Sequence, residues 1–153
     1  MYKKGQGVDQ NFSKAREWYE KAAEQGISDA QYNLGVMYVK AQSVTQDYSQ
    51  AKEWYEKAAK QGHVRAQSNL GTMYEQGQGV KQNNFKAREW YEKAAKQGLA
   101  AAQFNLALMY YFGKGVEQND SSALRWFAKA AAQGNEDAQA AIDKVIARMH
   151  RES

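Results

Sequence analysis

The amino-acid sequence predicts an all-α fold, an α/α superhelical solenoid of antiparallel helix pairs. Three observations carry that expectation. Tryptophan stands at Trp18, Trp54, Trp90 and Trp126, glycine at Gly26, Gly62, Gly98 and Gly134, and valine at Val8, Val44, Val80 and Val116, each set at a period of 36 residues. Internal repetition of that length marks a solenoid, in which each unit buries its apolar face against its neighbours, and the chain holds about four such units. Second, Ala51, Trp54, Tyr55, Ala58 and Ala59 form a single stripe only at helical periodicity. Third, the chain has no proline and is rich in Ala, Lys, Glu and Gln, all good helix formers.

Each unit reads as two helices. The stripe from Ala51 ends at Gly62, because glycine takes the left-handed conformation that stops a helix. A second stripe, Ala66, Leu70, Met73 and Tyr74, ends at Gly77-Gln78-Gly79. Asn11, Asp47, Asn83 and Asn119 recur just before the first stripe, where their side chains can accept from the free N–H groups of a first turn. Trp54 and Leu70 are expected to fill the core of the unit.

Three motifs stand out: A-x-x-W-Y-x-x-A-A-x-x-G over Ala51 to Gly62, A-x-x-x-L-G-x-x-Y over Ala66 to Tyr74, and G-x-G-V over Gly77 to Val80. Together they resemble the Sel1-like repeat family, a relative of the tetratricopeptide repeats with a longer unit. The likeness runs from Met1 to about Ile146 and implies a superhelix used as a binding scaffold.

In chain order, residues 1–153 form one array, with units of about 1–26 (partial), 27–62, 63–98, 99–134 and a C-terminal capping helix over 135–153. Met1, Tyr2, Gly5, Gly7 and Val8 align with Met37, Tyr38, Ala41, Ser43 and Val44, so the sequence opens at the tail of a helix. A helix starting at Phe12 then lacks its partner and leaves Trp18 or Tyr19 partly uncovered. This end is expected to belong to a fragment of a longer array or to self-associate into a homo-oligomer. The first full pair is Phe12 to Gln25 and Ser28 to about Lys40, with Ser28 and Gln31 placed for a capping box. Ala41-Gln42-Ser43 replaces Gly-x-Gly, which requires a different turn, a strained one, or drift in a tolerant loop. His63 to Gln76 with Asn84 to Gln97, and Leu99 to Phe112 with Asp120 to Gln133, complete the regular pairs. Ala138, Ile142, Val145 and Ile146 keep an apolar stripe near the end, but Asp143 replaces the glycine. Arg148, His150, Arg151 and Glu152 make the last helix polar, as a terminal cap is.

Composition excludes several functions. A net charge of +4 without a basic run does not favour nucleic acid or an anionic membrane. No apolar stretch approaches the ~20 residues of a membrane span, so membrane insertion is not expected. With no cysteine there are no disulfides or thiolate metal sites. His63 and His150 read as solvated surface residues. Glu17/Glu20, Glu53/Glu56 and Glu89/Glu92 are accompanied by Lys21, Lys57 and Lys93 at helical ion-pair spacing, and the glycine pairs lack the strand and lysine of a phosphate loop. No catalytic residue, metal site or cofactor is expected, and the chain reads as a non-enzyme. Cysteine-rich relatives in the family are associated with binding or hydrolysing β-lactams, so a β-lactam- or peptidoglycan-related binding role is an alternative, although this chain lacks their cysteines. The compartment is open: periplasmic or secreted if a leader was removed, cytoplasmic if Met1 is the native start.

The leading expectation is recognition of a protein or peptide. The resemblance implies that the first helix of each unit lines the concave side, exposing positions around Leu34-Gly35, Leu70-Gly71 and Leu106-Ala107. Those positions are Tyr32, Asn33, Val36, Val39 and Lys40; Ser68, Asn69, Thr72, Glu75 and Gln76; and Phe104, Asn105, Leu108, Tyr111 and Phe112. The third set is apolar and aromatic, suited to anchoring a peptide or helix, and at least one of Tyr111 and Phe112 is expected to be exposed. Asn33, Asn69 and Asn105 are placed either to bond an extended peptide backbone or to bond between helices. The second class of function is a self-assembling structural module.

Overall fold

The repeated small and aromatic residues become one continuous seam of buried side chains. The computed structural model describes residues 6–153, and its elements are eight α-helices joined by short turns, with no strand among the described residues: α1 (Gln6–Glu24), α2 (Ser28–Lys40), α3 (Tyr48–Lys60), α4 (Val64–Gln76), α5 (Asn84–Lys96), α6 (Ala100–Phe112), α7 (Asp120–Ala132) and α8 (Glu136–Glu152). Each helix packs on the next, and the tightest pairs are α2 with α3, α4 with α5 and α6 with α7. The result is an all-α solenoid of stacked helix pairs.

Leu34, Leu70 and Leu106 are fully buried at the centre of successive pairs, with Ala51, Ala87 and Ala123 equally buried on the facing helices. Small residues let the backbones approach. Gly35 and Gly71 show how closely: a Cβ on Gly35 would lie 2.5 Å from the Tyr55 ring, and one on Gly71 2.6 Å from the Tyr91 ring. The third pair carries Ala107 and Phe127 at these positions, both fully buried.

The caps explain where the helices begin. Asp47 accepts from the Gln50 N–H, Asn83 from Lys86 and Asn119 from Ser122, the N-caps that the sequence indicates. Asn11 differs, because α1 runs through it. In the later units the cap residue's own N–H donates to the preceding first helix, Asp47 to the Tyr38 carbonyl, Asn83 to Tyr74 and Asn119 to Tyr110. No described helix offers Asn11 such a carbonyl. The alignment of Met1, Tyr2 and Gly5 lies outside the described residues. Nor does Ser28 form a capping box with Gln31: it is the first residue of α2, the N-cap is Ile27 without a side-chain bond, and Gln31 turns inward.

The Ala41-Gln42-Ser43 loop makes the same turn as its glycine counterparts, at the cost of strain. Ala41 and Ser43 hold φ values of 56° and 62°, against 68° and 69° at Gly77 and Gly79. An L-residue in this region costs roughly 1–2 kcal/mol. Ser43 gains a partial offset, its hydroxyl bonding Ser13 at 2.8 Å and its carbonyl accepting from Arg16 at 2.8 Å.

The tryptophans are a second correction. Trp18 is 66% exposed, Trp54 and Trp90 are half-buried, and only Trp126, at 7%, is buried. The ring that fills the core is the neighbouring aromatic, Tyr55, Tyr91 or Phe127. Trp54 instead packs on the cluster of Ala22 and Ala23 on α1 and Ala30, Leu34 and Met37 on α2, while the ammonium groups of Lys57, Lys93 and Lys129 lie over Trp54, Trp90 and Trp126 at 4.5–4.7 Å. Trp18 has no earlier helix to pack on among the described residues.

Two outcomes in urea unfolding test this packing. Leu70→Ala should destabilise by about 2–5 kcal/mol, and a loss under about 1 kcal/mol contradicts its place in the core. Ala41→Gly should stabilise by about 0.5–1 kcal/mol, the relief of left-handed strain less the added freedom of the unfolded chain.

Candidate functional site

Beneath the wall of first helices runs a repeated glutamine relay. Gln31, Gln67 and Gln103 are buried; each donates from Nε2 to a carbonyl of the preceding helix (Ala23, Ala59 and Ala95) at 3.1–3.2 Å. Their Oε1 atoms accept from Gln61, Gln97 and Gln133 at 2.7–2.9 Å. A buried amide left without partners costs about 1–3 kcal/mol, so the relay fixes the register of the wall above it. The recurrence of both glutamines was visible in the sequence; their pairing needed the packing.

The expected binding positions divide by unit. On α2, Tyr32, Asn33, Val36 and Val39 are half-buried and Lys40 is exposed. Tyr32 stacks on His63 with ring centroids 4.6 Å apart. On α4 the set is drawn inward. Ser68 is buried at 8%, a correction to its expected exposure: its side chain is too short to reach the surface, where Tyr32 and Phe104 at the same register do. The Thr72 hydroxyl bonds the Tyr91 hydroxyl at 3.0 Å, and Asn69 is half-buried. Glu75 is half-buried and Gln76 exposed.

On α6 the positions converge. Phe104, Leu108, Tyr111 and Phe112 form one side of a groove of about 310 Å³, with Phe127 beneath and Ala140, Ala141, Lys144 and Val145 of α8 opposite. Phe112 is 60% exposed, Phe104, Leu108 and Tyr111 are half-buried, and Asn105 is half-buried beside them. The groove is open because Ala140 and Ala141 stand 36 residues after Phe104 and Asn105, short side chains where the other first helices carry Tyr32, Ser68 or Phe104 and an asparagine.

Arg148 braces this end. Its guanidinium lies 3.6 Å from the centroid of the Tyr111 ring, donates to the Tyr111 carbonyl at 2.8 Å and pairs with both carboxylate oxygens of Asp120. It is therefore a structural clamp between α6, α7 and α8, not a freely solvated cap residue. Tyr111 is held as a fixed wall, and Phe112 meets it edge-on at 5.0 Å.

His63 corrects the expectation of a solvated histidine. Its side chain is 12% exposed, its Nε2 lies 3.1 Å from Asp29, and its Nδ1 accepts from the Ala66 N–H at 3.2 Å as the N-cap of α4. That acceptor role places the proton on Nε2, facing Asp29. His150 is exposed. Among the described residues no group of three His, Cys, Asp or Glu is placed to hold a metal ion, and no helix is long and apolar enough to cross a membrane.

The Sel1 repeat model matches residues 1–27, 28–63, 64–99 and 100–135. The chain belongs to the Sel1 repeat family. Among solved structures this Sel1 repeat chain is similar to c5321, a protective antigen of uropathogenic Escherichia coli displaying an SLR fold, at 42% identity over 85% of this chain and 28% of that one, with a TM-score of 0.83. It is similar to a Sel1 repeat protein from Oxalobacter formigenes at 34% identity over 88% of this chain and 58% of that one (TM-score 0.77). It also resembles Helicobacter pylori cysteine rich protein B at 28% identity, covering 89% of this chain and 98% of that one, with a TM-score of 0.69. The chain thus spans less than two thirds of the first two relatives. No curated protein matches it in sequence. Sel1 repeats commonly serve as protein-interaction modules and are generally non-enzymatic.

The buried rings behind the wall generate a pH prediction. Burial raises the phenol of Tyr55, with a smaller opposing contribution from the Asn69 side chain, and likewise raises Tyr91 against its bond to Thr72. The unfolded chain then releases these protons first, so stability is full below about pH 9 and falls as pH rises through about 10. The urea midpoint should drop between those conditions and about pH 11, and Tyr55→Phe with Tyr91→Phe should flatten the drop; an equally steep decline in the double variant contradicts the assignment.

Proposed function

We propose that this chain is a non-catalytic scaffold that binds a partner protein or peptide on the concave wall built by α2, α4, α6 and α8. The observation that carries the reading is the α6–α8 groove: an apolar cleft with an exposed phenylalanine at its rim, on a wall of half-buried side chains that differ from unit to unit. Apolar surface concentrated in a cleft, between rigid helices, is what an interaction site requires. Half-buried Asn33 and Asn105 extend the wall with amides that can bond a bound backbone.

The self-assembly alternative is less well supported by the ends of the stack. End-to-end continuation would lay α1 of one copy on α8 of the next, bringing Tyr19 to Asp143. In the other units that register holds Gly35, Gly71 or Ala107 facing a buried ring, so the larger, charged side chain of Asp143 is a poor match for that contact. A β-lactam- or peptidoglycan-related role by analogy with the cysteine-rich relative has no support from side chains, since this chain has no cysteine.

Peptides selected by display against the full chain provide the test. Phe112→Ala, which removes an exposed ring, should weaken their binding about tenfold or more and leave the melting temperature nearly unchanged, whereas Glu53→Ala on the opposite surface should change neither. Dissociation constants indifferent to Phe112 and to Val36→Ala would refute binding on this wall.

A further inference from the structure

The α6–α8 groove has a length, a capacity and a polarity, and together they describe an occupant. Phe104 to Phe112 covers two turns of α6, roughly 12 Å at 1.5 Å per residue, and Ala140 to Lys144 runs alongside at the same register. A dry cavity of about 150 Å³ holds one benzene ring, so a groove of about 310 Å³ takes two side chains of leucine or phenylalanine size. Two such side chains one turn apart on a helix project from a single face. The remaining features are charges. Asp137 stands on α8 at the Phe104 end of the groove, and Lys144 lines it one repeat after Leu108. Beyond Lys144, the Lys114 ammonium lies 5.7 Å from the Phe112 ring. Neither Asp137 nor Lys144 forms an ion pair among the described residues, and both are exposed.

We infer that the groove takes an amphipathic α-helix of a partner protein, lying parallel to α6 and α8. Two bulky apolar side chains at i and i+4 enter the groove, a basic residue before the first faces Asp137, and an acidic residue after the second faces Lys144 and Lys114. The orientation follows from electrostatics: the positive N-terminal end of the bound helix meets Asp137 and its negative C-terminal end meets the two lysines. Apolar anchors supply affinity, and the flanking charges supply direction. Ala140 sets the specificity, because a larger side chain there closes the groove. This inference rests on the scaffold reading above and narrows it to one ligand geometry.

The probes are two fluorescein-labelled helical peptides of identical composition, each with Leu and Phe at i and i+4. One carries Arg before and Glu after the pair, and the other carries them exchanged. Anisotropy titrations with the full chain should give at least about tenfold tighter binding of the first. Ala140→Phe, at an exposed site, should lower that affinity about tenfold or more with unchanged circular dichroism. Asp137→Lys with Lys144→Glu should reverse the preference. Equal binding of the two peptides, or full affinity in Ala140→Phe, overturns the inference. Should neither peptide bind while display-selected peptides still lose affinity with Phe112→Ala, the helical occupant is wrong and the scaffold reading stands; indifference of the selected peptides as well removes both.

Discussion

In each regular unit the second helix presses an aromatic ring onto the first helix at a residue with almost no side chain. Tyr55 lies against Gly35 and Tyr91 against Gly71, each closer than a Cβ would permit. The rest of the stack depends on that approach. It sets the separation of the two helices, places the buried leucine beside the ring, and aligns the buried glutamines with the carbonyls they need. Substituting the glycine forces the ring to move, and a ring enclosed at interior packing density has little room to do so. The third unit instead carries Ala107 with Phe127, both fully buried.

The glutamine relay acts at a different level. Apolar seams tolerate sliding, because hydrophobic contact is not directional. Amides are directional, and Gln67, held between the Ala59 carbonyl and Gln97, is satisfied in only one register. The two interactions divide the work: rings and small residues set the distance between helices, and buried amides set their alignment. A wall built on both holds its exposed residues in a fixed geometry, which the proposed binding role requires.

Most of this architecture was legible because a period repeated several times averages out local ambiguity. The helix pairs, the caps at Asp47, Asn83 and Asn119, and the glycine turns each rest on backbone requirements that few residue types meet. What escaped depended on neighbours in space. Nothing about Trp18 or Trp54 alone says that the first stays exposed and the second packs across α1 and α2 while the adjacent tyrosine, Tyr55, fills the core. Ala41 and Ser43 adopt a glycine's conformation because the flanking helices impose it. Ser68 sinks because it is short, and His63 is enclosed because Tyr32 and Asp29 meet it across the turn. At the candidate site, the α6 side was legible as an apolar cluster within one helix. The α8 side was not, since Ala140 and Ala141 contribute by being small, and Arg148 looked like any cation near a helix end until Tyr111 and Asp120 came to it.

Those two alanines have an evolutionary consequence. They sit on α8, outside the ring-on-glycine contacts and the amide relay that hold the stack together; Ala141 still packs on the core, but Ala140 is exposed, so mutations at Ala140 are nearly free of folding constraints. A lineage can therefore reshape the mouth of the cleft, one side chain at a time, while the scaffold behind it stays untouched. Paralogues built on the same array would be expected to diverge first at Ala140, changing the shape of the cleft before they change the architecture.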